Sequence, residues 1–275
     1  MRINKDQKIK FVIFAIILLN LFACGNDCGL KENIEIVERY KNGQIAEKYL
    51  SSIIICDTIK QGYYYRYSPD GVLLEKSNFK DNLYQGSKFK YYKSGALQAV
   101  SFFNNGKVDS IQRRYYENGQ VKNIYNFSQD IFTGEQLDFY ENGRIKEYSI
   151  YDVFNEEKLL FIRKYDLEGK VTEQTGTPFT DMIFNSEKYK KGDSIKIKGY
   201  YAKPPGLISE ITIIKTEDNI KDNKTVKIIN PKNFFIFKDI VKADSLFKLD
   251  LTLKLLNNMN QNIEYYSTSF TKDIR

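Results

Sequence analysis

The sequence predicts an all-β protein: an antiparallel β-hairpin repeat meander of about six copies, each near 24 residues, followed by a β-sandwich. The first observation is a glycine that recurs at intervals of 28, 24, 24, 24 and 26 residues, with a tyrosine shortly before it and an aliphatic residue two positions after it. The recurring glycines are Gly43, Gly71, Gly95, Gly119, Gly143 and Gly169. A fixed period of this length indicates a repeat array, and such arrays usually present surfaces rather than one reactive pocket.

Each copy is predicted to be a hairpin of two short strands. Asn118-Gly119 favours a two-residue turn between antiparallel strands, and the flanking aromatic and β-branched residues favour strand. A second turn is predicted between copies, at Gly62, Gly86 and Gly134, with Ser110 at the same place in the series. Six hairpins give about a dozen strands, more than the ~10 that an open twisted sheet usually tolerates, so the sheet must coil, split or be covered.

Alternation along the first strand of each copy separates two faces. The face with Tyr65, Tyr67, Phe89, Tyr91 and their equivalents is predicted to be mostly core. The other face is predicted to expose tyrosines beside mainly basic side chains. Its candidate binding residues are Lys90, Tyr92, Arg114, Tyr116 and Tyr140. Two interpretations stay open: the tyrosines pair across strands and stiffen the sheet, or they offer flat amphipathic anchors to a ligand.

The recurring Tyr-Tyr-Glu-Asn-Gly-x-Val/Ile-Lys, at 115–122 and with Phe139 at 139–146, resembles the bacterial MORN-repeat variants. The resemblance covers roughly residues 38–174 and is strongest in the third to fifth copies. It implies an array of β-hairpins. Proteins of this family are often labelled antitoxin components, a label that identifies no target.

The N-terminus is typical of an exported lipoprotein. Four basic residues against one acid precede an apolar run at 11–23, which is too short for an ordinary membrane span of about 20 residues. The run ends in Leu21-Phe22-Ala23-Cys24-Gly25, which resembles a lipobox with Cys24 as the lipidated residue. An uncleaved anchor with a chance cysteine is the alternative. We expect a signal peptide at 1–23 and a tether at 24–33, with the protein held to the inner or outer membrane on its periplasmic or surface face.

Export places the two remaining cysteines in an oxidising compartment. Cys28 and Cys56 therefore either form a disulfide or leave Cys56 as a buried thiol. The net charge is +7, of which the signal contributes +3. A mature chain near +4 without a long basic run does not predict nucleic-acid binding.

From Thr175-Gly176-Thr177-Pro178 onwards the repeat is lost, and we place the domain boundaries at 34–175 and 176–275. Seven strands are predicted, at 181–185, 194–202, 209–215, 225–229, 234–238, 245–255 and 263–270. Seven strands in about this length fit an immunoglobulin-like (Ig-like) sandwich, with an unrelated sandwich or a barrel as the alternative, since no cysteine pair or core tryptophan supports the assignment.

The sequence contains no histidine, which excludes Ser-His-Asp and Cys-His catalysis and removes the commonest zinc ligand. Repeated acids at Glu47, Glu75, Glu147 and Glu173 follow the repeat, so they are predicted to belong to its sheet face or turn. We expect no enzyme activity, no cofactor and no metal.

The expected function is therefore binding: a lipid-anchored envelope adaptor that recognises a protein or an envelope polymer through the repeat sheet. The alternatives are an immunity or antitoxin-like protein that neutralises a toxin at the envelope, and a structural envelope component.

Overall fold

The computed structural model describes residues 32–54, 57–152, 158–217, 220–226, 234–242, 246–257 and 262–273. Every regular element in these ranges is a β-strand, which confirms the all-β prediction. Residues 1–31, and with them the signal, most of the tether, Cys24 and Cys28, lie outside the described residues, as does Cys56. The contacts divide the chain into two compact units after Lys146.

The first unit is an antiparallel meander in which each strand pairs with the next long strand of the sequence. Its strands are β1 Glu32–Arg39, β2 Ile45–Ile54, β3 Asp57–Tyr67, β4 Leu73–Lys80, β5 Leu83–Tyr84, β6 Gly86–Tyr91, β7 Leu97–Asn104, β8 Lys107–Val108, β9 Ser110–Tyr115, β10 Val121–Ser128 and β11 Ile131–Phe139, with β12 Ile145–Tyr151 beginning at its end. The two-residue strands β5 and β8 extend the turns and pair only with β4 and β7. The predicted hairpin meander is confirmed.

The turn within each copy is longer than predicted. In the fourth copy the Gly119 amide donates to the Tyr116 carbonyl at 3.0 Å, and the Tyr116 amide donates to the Gln120 carbonyl at 2.8 Å. Only Gly119 has a left-handed φ, +86°, while the Asn118 side chain accepts a hydrogen bond from the Gln120 amide at 2.9 Å. The predicted two-residue Asn-Gly turn is therefore wrong here: the loop is a four-residue turn with a glycine in the left-handed region.

The two-residue turns occur between copies instead. Asp81 and Asn82 have φ of 53° and 66°, and the same pattern recurs at 105–106 and 129–130. Left-handed φ at both positions is the turn whose twist matches antiparallel strands. The residues predicted to form these turns, Gly62, Gly86, Ser110 and Gly134, also have positive φ but lie within or at the start of the following strand. The recurrence of these residues correctly indicated an irregular backbone at these positions, but the prediction that they form the turns was wrong.

Successive copies are hydrogen-bonded to one another at both ends. At one end the amides of Asn82, Gly106 and Asp130 donate to the carbonyl of the residue 22 positions earlier. At the other end the Tyr92 hydroxyl donates to the Tyr115 carbonyl at 2.7 Å, and the Tyr116 hydroxyl donates to the Phe139 carbonyl at 2.8 Å. These local contacts explain why turn residues recur with the period of the array.

The predicted core face of the repeat sheet is not the buried one. In β3, β6, β9 and β11 the buried side chains are Tyr64 and Gln136, and both lie on the face predicted to be exposed. On the neighbouring strands that face buries Glu75, Ser77, Ser101 and Asn123. This face buries polar side chains beside an apolar cluster of Ile36, Tyr49 and Tyr64, so the apolar content of the first strands did not identify it as the inner face.

The second unit contains the last repeat strands and a two-sheet sandwich. Its further strands are β13 Leu159–Tyr165, β14 Val171–Gly176, β15 Phe179–Phe184, β16 Ser194–Tyr201, β17 Ile208–Glu217, β18 Ile220–Val226, β19 Phe234–Ile240, β20 Leu246–Leu256 and β21 Asn262–Asp273. The sheets are β15-β16-β19 and β18-β17-β20-β21. Between them lies a core that includes Ile195, Ile197, Ile213, Leu251 and Leu253. Six of the seven predicted strands are present; the one predicted at 225–229 overlaps β18 only at 225–226, and residues 227–229 lie outside the described residues.

The strands β12–β14 pack against the sandwich strands of this unit. Arg163 of β13 is 2% exposed and pairs with Glu264 of β21. The backbone amide of Lys203 donates to the Tyr148 hydroxyl at 2.9 Å, and the side-chain amide of Gln174 donates to the Tyr266 hydroxyl at 2.6 Å. The boundary predicted at 175 marks the end of the repeat sequence, whereas the division by contacts falls earlier because these polar contacts join the last hairpin to the sandwich.

Candidate functional site

The register of the repeat sheet places one residue from each long strand in a continuous row across its inner face. We call this the cross-strand row; in order it contains Glu38, Glu47, Arg66, Glu75, Lys90, Ala99, Arg114, Asn123 and Asp138. Side chains directly opposite one another on neighbouring strands lie close enough to interact. The row therefore decides which charges meet on this face.

In the first copies the row alternates acids with a base. Glu75, 5% exposed at its side chain, lies 3.6 Å from the Arg66 guanidinium. The same carboxylate lies 3.0 Å from the Lys88 ammonium and accepts a hydrogen bond from the Tyr84 hydroxyl at 3.0 Å. A buried carboxylate is stable only with partners of this kind. Glu75 thus belongs to the sheet face, as the recurrence of these acids predicted.

The buried charges of this cluster shift the pKa values of its members. Burial lowers the pKa of the Lys88 ammonium, while the Glu75 carboxylate acts in the opposite direction. Burial, with the charge of Glu75 next, raises the pKa of the Tyr84 hydroxyl. Lys88 Nζ also lies 3.6 Å from the centre of the Tyr84 ring, a cation–π distance. Lys88 is therefore held between a carboxylate and an aromatic face.

Beyond Glu75 the sheet opens into a cavity of about 360 Å³ in the third and fourth copies. Its lining residues come from the strands β6, β7, β9 and β10 and from the position that follows β6: Lys88, Lys90, Tyr92, Gln98, Ala99, Ser101, Phe103, Gln112, Arg114, Tyr115 and Lys122. Four of these are basic and none is acidic. The cavity is therefore suited to an anionic or hydrogen-bonding group flanked by aromatic rings.

The cavity brings together Lys90, Tyr92 and Arg114 of the predicted binding face, but Tyr116 and Tyr140 are not among its lining residues. The tyrosines are half-buried rather than fully exposed. The hydroxyls of Tyr92 and Tyr116 are engaged by the next copy, which is the stiffening role left open in the sequence. Lys146 Nζ lies 5.9 Å from the ring centre of Tyr140.

Sequence reasoning missed Lys88, Ala99 and Lys122. Lys88 lies two residues before Lys90 on the same strand face, outside the residues used to define the tyrosine face. Lys122 follows the turn, and its Nζ lies 5.3 Å from the ring centre of Tyr116. Ala99 carried a detectable signal: it stands four residues after Gly95, where Glu47 and Glu75 stand after their own glycines. The signal for the candidate site was therefore an acid missing from the repeat pattern at position 99.

Comparison with known proteins finds a family model that matches two segments of the array. The family model described as MORN repeat variant matches residues 60–81 and 108–129. Both matched segments lie in the repeat sheet, so MORN-type repeats are present at these two places, as the motif at 115–122 predicted. No curated protein matches the chain.

Within the described ranges, no group of three or more His, Cys, Asp or Glu side chains is arranged to hold a metal ion. Over the same residues, no helix of sufficient length and apolarity to cross a membrane is present.

Proposed function

We propose that this chain is a lipid-anchored envelope binding protein that recognises its partner through the inner face of the MORN-type repeat sheet. The observation that carries the proposal is the cavity at Lys90, Tyr92 and Arg114, an open site on the inner face of the repeat sheet. Pockets that combine aromatic walls with a few convergent polar groups are the usual form of a binding site.

The repeat framework supports this role because it holds the lining side chains in place. The Tyr92 hydroxyl is bonded to the next copy, and Gln112 donates to the Ser101 hydroxyl at 2.8 Å. Arg114 Nε donates to Gln112 Oε1 at 3.0 Å. Preorganised side chains lose less conformational entropy when a partner binds, so more of the contact energy appears as affinity.

The anchor and the second unit have separate support. Lipidation at Cys24 is supported by the basic start, the short apolar run and the lipobox-like sequence. An Ig-like assignment for the sandwich is supported by its three-plus-four strand division and antiparallel pairing. In the proposed arrangement the sandwich is a spacer or a second contact.

The test is photo-crosslinking in cells with the full-length protein. p-Benzoylphenylalanine replaces Tyr115, which lines the cavity, and in a matched control replaces Phe102, an exposed aromatic residue on the neighbouring strand that does not line it. We expect one dominant species to be captured from position 115 and not from position 102. Equal capture from both positions, or none from either, would overturn the proposal. A captured toxin would assign the immunity role, and captured wall polymer alone would assign a polymer ligand.

A further inference from the structure

The cross-strand row has an acid missing at the point where the cavity opens. Arg66 lies between Glu47 and Glu75, so its charge has a carboxylate on both neighbouring strands. Ala99 likewise has a neighbour on each side in the row, but both neighbours, Lys90 and Arg114, are basic. A methyl group therefore stands where the alternation places a carboxylate.

The consequence is an excess of positive charge that the fold does not neutralise locally. Lys88 is paired with Glu75, and Lys90 lies opposite Glu75 in the row, but the exposed side chains of Lys90, Arg114 and Lys122 form no ion pair with any residue that the structure describes. Arg114 has on its other side Asn123, an amide. Three cations thus converge on one cavity, and like charges in proximity are destabilising unless an anion lies between them.

This inference rests on the proposed function. We infer that the partner is a protein that inserts a glutamate or aspartate carboxylate into the cavity above Ala99, between Lys90 and Arg114. The chain itself shows that the row accommodates a carboxylate, because Glu75 is held at the previous acidic position by Arg66 at 3.6 Å and by Lys88 at 3.0 Å. Arg114 offers the planar donor pair that binds carboxylates in two parallel hydrogen bonds. The partner would complete the alternation that Ala99 interrupts.

The volume and lining agree with a side chain rather than a bare ion. About 360 Å³ is larger than one carboxylate needs, and Phe103, Tyr92 and Tyr115 provide surface for the apolar stem and for neighbouring residues of the partner. Gln98 and Gln112 supply amides that can pair with partner backbone groups. A phosphate polymer is the alternative ligand, and the test separates the two.

The experiment measures binding of a hexaglutamate peptide to the purified chain by calorimetry, with long-chain polyphosphate as the second probe. Ala99→Glu places the missing carboxylate on the chain itself, so we expect hexaglutamate binding to weaken about tenfold or more. Ala99→Gln adds the same length without charge and should weaken it less. Lys90→Gln and Arg114→Gln should each weaken it about tenfold, whereas Lys107→Gln, which removes an exposed charge in β8, should not.

Thermal unfolding of each variant checks that the fold is kept. If Ala99→Glu fails to fold, Lys90→Gln and Arg114→Gln decide the question. Equal hexaglutamate binding by these variants and by Lys107→Gln would overturn the inference, and so would tight binding of polyphosphate without binding of hexaglutamate. Crosslinking from position 115 separates the two proposals. A partner captured equally well by the wild type and by Ala99→Glu leaves the proposed function intact and removes this inference, whereas no capture removes the function.

Discussion

The repeat sheet and the C-terminal sandwich bury different kinds of side chain by different means. The sandwich core is made of Ile195, Ile213, Leu251 and similar residues, each nearly inaccessible between two sheets. The inner face of the repeat sheet buries a smaller apolar cluster at Ile36, Tyr49 and Tyr64 together with polar side chains such as Glu75, Ser101 and Gln136, which are satisfied by cross-strand partners. Apolar burial is non-directional, whereas buried polar groups demand specific partners. The repeat sheet is therefore the region in which we propose that one missing partner creates a site.

The largest expected effect concerns the one ion pair buried between the sheets of the sandwich in the described part of the chain. Lys215 of β17, 2% exposed, lies 2.7 Å from the Asp239 carboxylate of β19. Asp239→Asn removes this carboxylate from beside a buried ammonium, and we expect a loss of about 3 to 5 kcal/mol in the free energy of unfolding. Urea denaturation measures it.

The matched control is Asp250→Asn, which removes a carboxylate 2.9 Å from Lys248 on the surface of the same unit. An exposed pair contributes less than about 1 kcal/mol. Equal losses in the two variants would show that the sandwich tolerates an uncompensated charge, and the contrast drawn between the two regions would then fail.

The next effect concerns the pH dependence of the repeat sheet. Burial, with the charge of Glu38 next, raises the pKa of Tyr49 to about 12 from 10.0, and burial also raises the pKa of Tyr64 and Tyr84. The folded repeat sheet therefore favours the neutral phenol. The stability present below about pH 10 is lost as the pH rises through the folded pKa, by roughly 2 to 3 kcal/mol for Tyr49 alone.

Urea denaturation at about pH 8 and about pH 11, with phenolate absorbance followed in parallel, measures the first part of this loss, about 1.4 kcal/mol for Tyr49, because pH 11 lies below the folded pKa of about 12. Tyr49→Phe removes one contributor and should reduce the pH dependence. Unfolding midpoints that agree at the two pH values would contradict the prediction.

The smallest effect tests the contacts between copies. Tyr116→Phe keeps the ring and removes the hydroxyl that donates to the Phe139 carbonyl, so we expect a loss of about 1 kcal/mol, seen as faster amide hydrogen exchange in β9–β11. Tyr91→Phe is the control, because the Tyr91 hydroxyl has no hydrogen-bond partner in the described ranges. Equal exchange rates in both variants would contradict the stiffening role of the tyrosines.

Much of the fold was predictable because it depends on patterns among residues that are close together in the sequence. The period of Gly95, Gly119 and Gly143 identified the array, and alternation at 247–254 identified β20. The candidate site was predictable only in part. Lys90, Tyr92 and Arg114 were named from one strand face, but Lys88, which lies on that face two residues before Lys90, was not named, and Lys122 lies on the next strand, beyond the turn.

The sequence by itself determined the repeat, its hairpins and the alternating strands of the sandwich, since turn chemistry and side-chain period are properties of neighbouring residues. Only the tertiary structure decided which face of the repeat sheet is buried and that Ala99 lies between Lys90 and Arg114. That neighbourhood depends on strand register, and every bulge shifts the register by one residue. A register shift between Lys90 and Tyr91 precedes the turn in the third copy, and its consequence for the face could not be read from spacing alone.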